Sequence, residues 1–144
     1  AAMAGEMSGH IFFKERWYGF DDGIYAGARL CEILSKMDQT PSEVFAALPD
    51  TINTPELRLE FEEGEHYKFI ERLQQNANFE NGTIYTMDGL RVDFDGGFGL
   101  VRASNTTPML IMRFEANDEA MLKDIQEQFR AVLLKTDPEI KLPF

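Results

Sequence analysis

Two glycine turns, Asp88-Gly89 and Asp95-Gly96-Gly97, constrain the fold of this chain more than any other feature of its sequence. Asp-Gly and Gly-Gly pairs supply the positive φ that tight hairpin connections need. Each turn here separates apolar-rich runs of strand length, at 83–87, 90–94 and 98–103, with a further apolar run at 109–114. Runs joined in this way are expected to be antiparallel neighbours in one sheet. Ahead of them, Leu57, Leu59 and Phe61 alternate with Arg58, Glu60 and Glu62, the period of a half-buried strand. A new domain is therefore expected to begin beyond Pro55. His66, Phe69, Ile70, Leu73 and Ala77 follow helical spacing, with His66 read as a packed or partly exposed side chain. Asp118 is placed to cap a last helix whose stripe is Leu122, Ile125, Phe129, Val132 and Leu133, and Asp137-Pro138 ends it. The expected class is α+β, an antiparallel sheet packed with helices.

The N-terminal part has a different pattern. A short apolar run at 10–14 predicts a buried strand, followed by an aromatic loop holding Trp17, Tyr18 and Phe20. Loop packing explains these rings more simply than a cleft lining. Asp21 and Asp22 offer helix-start chemistry, and Ile24, Ala28, Cys31 and Leu34 then share one face of a helix ending near Ser35. Thr40, Pro41 and Glu43 form a capping-box start that Pro49 soon stops. Residues 36–55 thus read as a connector or hinge, and 56–144 as a complete domain. Residues 1–35 are too few to bury a strand and a helix by themselves, and read as the remnant of a preceding α/β domain, so the chain looks truncated.

Charge and cysteine content exclude several function classes. With 25 acidic against 14 basic residues the net charge is -11, which repels a phosphate backbone and makes nucleic acid an unsuitable partner. A small anion is still admissible, because a few amides and one Arg can create a locally positive pocket. Cys31 is the single cysteine, so neither an internal disulfide nor a thiolate metal cluster can form, which fits a reducing cytoplasm. No stretch approaches the roughly 20 apolar residues of a membrane span, and the opening Ala-Ala-Met-Ala-Gly lacks the pattern of a secretory signal.

Two loops carry chemistry. Gly5-Glu6-Met7-Ser8-Gly9-His10 sets a carboxylate, a hydroxyl and an imidazole just before a strand, groups that suit sugar hydroxyls and proton transfer. A polar turn with His10 satisfied in a core explains the same residues without function. The loop Arg102-Ala103-Ser104-Asn105-Thr106-Thr107-Pro108 joins one cation to three hydroxyls and an amide, a mixture suited to reversible phosphate binding. The competing reading is a polar hairpin loop whose Ser104 and Asn105 bond their own backbone. Asp93 and Asp95 superficially suggest a metal, but strand alternation and hairpin chemistry account for them. Ser8 and His10 do not form a nucleophile elbow, since the spacing is GxxSG and not GxSxG.

GEMSGH at 5–10, FFKERWYGFDDGIYAGARL at 12–30 and GLVRASNTTP at 99–108 together resemble the α-D-phosphohexomutases, in their bacterial phosphomannomutase/phosphoglucomutase branch. The resemblance covers nearly the whole chain and implies the end of the family's third domain followed by its fourth, which has a TATA-binding-protein-like fold. It implies that Glu6 and Ser8 contact neighbouring sugar hydroxyls, that His10 is an auxiliary catalytic group acting in proton transfer or phosphate contact, and that Arg102, Ser104, Asn105 and Thr106 clamp phosphate. The implied partners are the 1- and 6-phosphates of mannose and glucose, the bisphosphate intermediate, and N-terminal mutase domains that carry a phosphoserine and a magnesium loop. No cofactor is expected in this chain itself. Membrane and nucleic-acid partners are not implied. Alone, the chain is expected to be inactive. The rival readings are a stand-alone sugar-phosphate- or phosphate-binding module and, more weakly, a protein-interaction domain using a Phe-rich surface.

Overall fold

The Asp22 side chain accepts a hydrogen bond from the Tyr25 amide at 2.9 Å, which satisfies one of the free donors of a helix start and fixes where the first helix begins. A computed structural model describes residues 1–6 and 8–144 and divides the chain into two compact units, Ala1–Pro49 and Asp50–Phe144. In the first unit, strands β1 (Met3–Gly5) and β2 (Ile11–Phe13) form an antiparallel hairpin, with Gly5 opposite Ile11. Helix α1 (Gly23–Leu34) follows, then α2 (Pro41–Ala46), whose Thr40–Glu43 capping box is formed on both sides.

None of the described residues of this unit is buried. Its order comes from a side-chain framework at the surface. The Trp17 ring stacks on Tyr25 with centroids 4.3 Å apart, and the Arg29 guanidinium lies 4.7 Å from the Phe13 ring centroid. Arg16, at φ 60, pairs with Glu32 at 2.7 Å and with Glu15 at 3.0 Å. Chiefly through the Arg16 bond, with help from Lys36, the Glu32 carboxyl is pulled down to about 2. The face of α1 that packs is thus Tyr25, Arg29 and Glu32. Of the periodic face expected to be internal, Ile24 is 90% exposed and Ala28 and Cys31 are exposed as well, while Leu34 is half-buried. The strand β1 also differs from the sequence expectation, which had only a turn ahead of 10–14.

The second unit carries the core. Its sheet contains β3 (Ile52–Asn53), β4 (Leu57–Glu60), β5 (Thr83–Tyr85), β6 (Leu90–Phe94), β7 (Gly97–Ala103) and β8 (Met109–Ala116), all paired antiparallel. The order is β3-β8-β7-β6-β5, with β4 also on β8, so β3 and β4 occupy successive stretches of the same edge. Ile52 and Asn53, read from sequence as connector, therefore belong to the sheet: they pair with Ala116 and Glu115. Helices α3 (Glu65–Asn76) and α4 (Glu119–Thr136) pack on one face of the sheet and against each other. Alternation sends Leu90, Val92, Val101, Leu110, Met112 and Phe114 to that face, where they meet Phe69, Leu73, Ile125 and Phe129. His66 is fully packed at 1% exposure, on the buried side of α3. Among the described residues of this unit, no helix packs on the other sheet face. It carries Arg58, Arg91, Arg102, Ile111 and Arg113.

Candidate functional site

Pairing of Gly5 with Ile11 makes residues 6–10 a hairpin loop, closed by hydrogen bonds from the Glu6 amide to the His10 carbonyl (2.9 Å) and from the Gly9 amide to the Glu6 carbonyl (3.0 Å). Gly9 takes φ 88, a conformation that other residues adopt only with strain. One loop thereby gathers Glu6 and Ser8, expected to meet sugar hydroxyls, and His10, expected as the auxiliary catalytic group. The Ser8 hydroxyl donates to Glu6 Oε2 at 3.1 Å, and both side chains are exposed. Met7, between them, lies outside the described residues.

His10 has a partner that sequence reasoning missed. Its Nδ1 is 2.5 Å from Asp21 Oδ2, while Asp21 Oδ1 accepts from the Ile11 amide at 3.2 Å. An isolated bridge between Phe12 and Asp21 brings the two together. The sequence offers Asp21 only helix-start chemistry, and the cap of α1 is Asp22. The Asp21 hydrogen bond, then its charge, raise the His10 pKa above the ordinary imidazole range, with a smaller push from Glu6. With Nδ1 engaged, Nε2 is the nitrogen left to meet a ligand.

In the second unit, β7 and β8 project the loop 104–108. Ser104 is 5% exposed, and its Oγ accepts from the Thr106 and Thr107 amides, both at 3.3 Å, and lies 3.0 Å from Thr107 Oγ1. The loop thus satisfies itself in the way the structural reading of the sequence anticipated for Ser104. Bonds of 3.3 Å exceed the usual 2.9–3.0 Å for amide donors, which leaves these amides weakly committed. Asn105, Thr106 and Thr107 are exposed. The Tyr67 hydroxyl donates to the Ser104 carbonyl at 3.3 Å and ties the loop to α3.

Beside this loop is a cavity of about 260 Å³. Ser104, Thr106 and Thr107 form its polar wall, Met109 and Ile111 are its apolar part, and Glu56 and Arg58 complete it. Arg102 does not line it. Its guanidinium instead lies 3.6 Å from the Asp88 carboxylate. Asn105 is likewise outside the lining. Of the four residues predicted as a phosphate clamp, two therefore share one cavity, and Arg58, read from the sequence only as an outward charge of a half-buried strand, stands where a cation was expected. Asp93 is engaged by Arg91 at 2.7 Å, and among the described residues no three His, Cys, Asp or Glu side chains are grouped to hold a metal. No helix among the described residues is long and apolar enough to cross a membrane.

Known proteins extend this geometry. Residues 56–132 match the family model described as "Phosphoglucomutase/phosphomannomutase, C-terminal domain", and residues 1–52 match "Phosphoglucomutase/phosphomannomutase, alpha/beta/alpha domain III". A phosphomannomutase/phosphoglucomutase of Pseudomonas putida is 54% identical over 142 residues, covering 99% of this chain and 31% of the relative. A phosphoglucomutase of Neisseria meningitidis is 57% identical over 145 residues, again covering 99% of this chain and 31% of the relative. A crystal structure of a phosphoglucomutase/phosphomannomutase family protein from Burkholderia thailandensis superposes with a TM-score of 0.92 at 50% identity, covering all of this chain and 30% of that one. The chain thus spans a little under a third of the length of these relatives.

Proposed function

We propose, because this chain belongs to the phosphoglucomutase/phosphomannomutase family, that it supplies the substrate-binding C-terminal part of a hexose phosphate mutase. In this reading 1–35 belongs to the family's third domain, the connector expected at 36–55 ends before Ile52 and Asn53, which pair with β8, and the phosphate-binding domain runs from there to 144. The enzyme interconverts the 1- and 6-phosphates of mannose and glucose in the cytoplasm. A phosphoserine in another domain gives its phosphoryl group to the substrate, the resulting bisphosphate reorients, and the other phosphate returns to the serine. The protein's part here is recognition. Glu6 accepts from two neighbouring sugar hydroxyls, Ser8 donates or accepts beside it, and His10, anchored through Nδ1, turns Nε2 towards the reacting end as proton carrier or phosphate contact.

Ser104, Asn105, Thr106 and Arg102 hold the phosphate that is not reacting, by neutral donors and one charge, so that it can leave for the reverse orientation. The observation that carries this reading is the self-bonded 104–107 turn beside a cavity, whose weakly committed amides and hydroxyls suit an anion. The uncovered Ile24 face of α1 supports the view that further domain-III structure belongs against it. Magnesium would act in the domains beyond this chain. The described residues offer no cluster that fits it, so no step here runs through the metal.

A stand-alone phosphate-binding module is the second reading, favoured by the core of the second unit, which is built wholly from its own residues. Adding glucose 1-phosphate to the isotopically labelled chain tests recognition: amide shifts are expected at 104–107, and their absence at high ligand would remove the clamp from the isolated chain. A coupled mutase assay on the same chain should give no turnover. Measurable activity would refute the assignment of catalysis to missing domains.

A further inference from the structure

We propose that Arg58 is a phosphate-binding residue of the cavity beside the Ser104 loop, contributing the guanidinium that meets the anion there. The inference rests on the phosphate-binding reading of that loop and adds a cation that reading did not contain. Arg58 and Arg102 both lie opposite Ile111, from β4 and β7 respectively, so they flank β8 on the helix-free face of the sheet. With strands about 4.8 Å apart, their Cα atoms are separated by roughly 10 Å, a span that two long arginine side chains can close on a single anion.

Only Arg58 enters the cavity wall together with Ser104, Thr106 and Thr107; Arg102 is turned towards Asp88. The Arg58 Nε donates to Glu56 Oε1 at 2.8 Å. Both Nη amino groups, the end of the fork that matches two phosphate oxygens, have no partner among the described residues. Glu56 belongs to the same cavity and acts as a built-in counterion, a carboxylate resting where an incoming anion would otherwise be drawn. A phosphate monoester dianion fits these groups: two oxygens on the guanidinium, a third facing the Ser104, Thr106 and Thr107 donors, and the ester oxygen leading out past Met109 and Ile111. A carboxylate ligand would use the fork but leave the hydroxyl wall unsatisfied.

The test is a titration of the labelled chain with glucose 1-phosphate, at a pH where the phosphate is a dianion, followed through the 104–107 amides and the arginine Nε signals. The wild-type chain should shift at both places. Arg58→Ala should weaken binding about ten-fold or more, as expected for loss of a charge-assisted contact. Arg58→Lys should recover part of it, because the charge returns without the fork. Glu56→Gln should tighten binding. If Arg58→Ala binds like wild type while Arg102→Ala loses binding, Arg58 is outside the site and the original clamp stands alone. If the wild-type chain shows no shift at 104–107, both the clamp and this addition fall. The amide spectrum of each variant reports whether its fold is intact.

Discussion

Replacing Gly99 with alanine should destabilise the second unit through a steric conflict whose size follows from the packing of α4 on β7. A Cβ on Gly99 would lie 2.3 Å from Phe129 Cε2, 2.7 Å from Cδ2 and 2.8 Å from Cζ. Carbon atoms in contact sit at about 3.5–4.0 Å, so the ring would have to retreat by more than about 1 Å. It has nowhere to go. Phe129 is fully buried, with the Phe79 ring centroid 4.7 Å away and the Phe114 centroid 5.3 Å away. Gly99 itself is at a position where its backbone conformation favours no particular residue, so the penalty is packing and not φ strain. Overpacking costs about 1–3 kcal/mol, with a 2.3 Å approach to an enclosed ring at the upper end of that range, and replacing a strand glycine returns about 0.5–1 kcal/mol of it. For a unit the size of Asp50–Phe144, each kcal/mol moves Tm by about 4–8 °C, so a fall of roughly 5–20 °C is expected. Thermal unfolding followed by circular dichroism measures it. Phe129→Leu alone should also destabilise, but combined with Gly99→Ala it should lose less than the sum, because the smaller side chain yields to the new methyl. A Gly99→Ala melt within about 2 °C of wild type, or strict additivity in the double variant, would refute the argument.

Two further perturbations address the sites. Asp88→Asn removes the counterion 3.6 Å from Arg102, a pair with side chains 36% and 72% exposed. Exposed pairs of this type are worth about 0–1 kcal/mol, so phosphate affinity should hold or rise by up to about five-fold, and a titration showing weaker binding would contradict Arg102 as a clamp residue. Asp21→Asn should lower the pH at which His10 titrates, because the hydrogen bond and charge that raise its pKa are lost. The sign follows from linkage: the contact favours the protonated ring, so its contribution is fully present below the unfolded-state imidazole pKa and disappears as pH rises through the raised folded value. Imidazole nitrogen shifts measured against pH check both the titration and the tautomer. Identical curves in the two proteins would mean that Asp21 does not hold His10.

What was legible in the sequence, and what was not, follows from how far each feature depends on distant residues. Gly89 and Gly96 take φ 79 and φ 100 where the sequence placed hairpin turns, and Leu57 and Leu59 lie on the core side of β4 as their alternation required. Those patterns are local, and the sheet they describe also supplies the surface that buries them. The α1 pattern is equally local, yet Ile24 stays exposed, because periodicity reports which face a helix is built to bury and not whether the covering surface is present. The two candidate loops show the same division. Glu6, Ser8 and His10 could be grouped by sequence proximity, whereas the Asp21 contact spans eleven positions and depends on the Phe12–Asp21 bridge. Ser104 could be placed in a polar turn, but strand register decides which arginine faces its cavity. Arg58 and Arg102 sit opposite the same Ile111 from different strands, and a register change of one residue in β4 would send Arg58 to the helix-covered side. The cation of such a site is therefore a property of strand pairing, and substitution of Arg58 examines that pairing as directly as it examines the ligand.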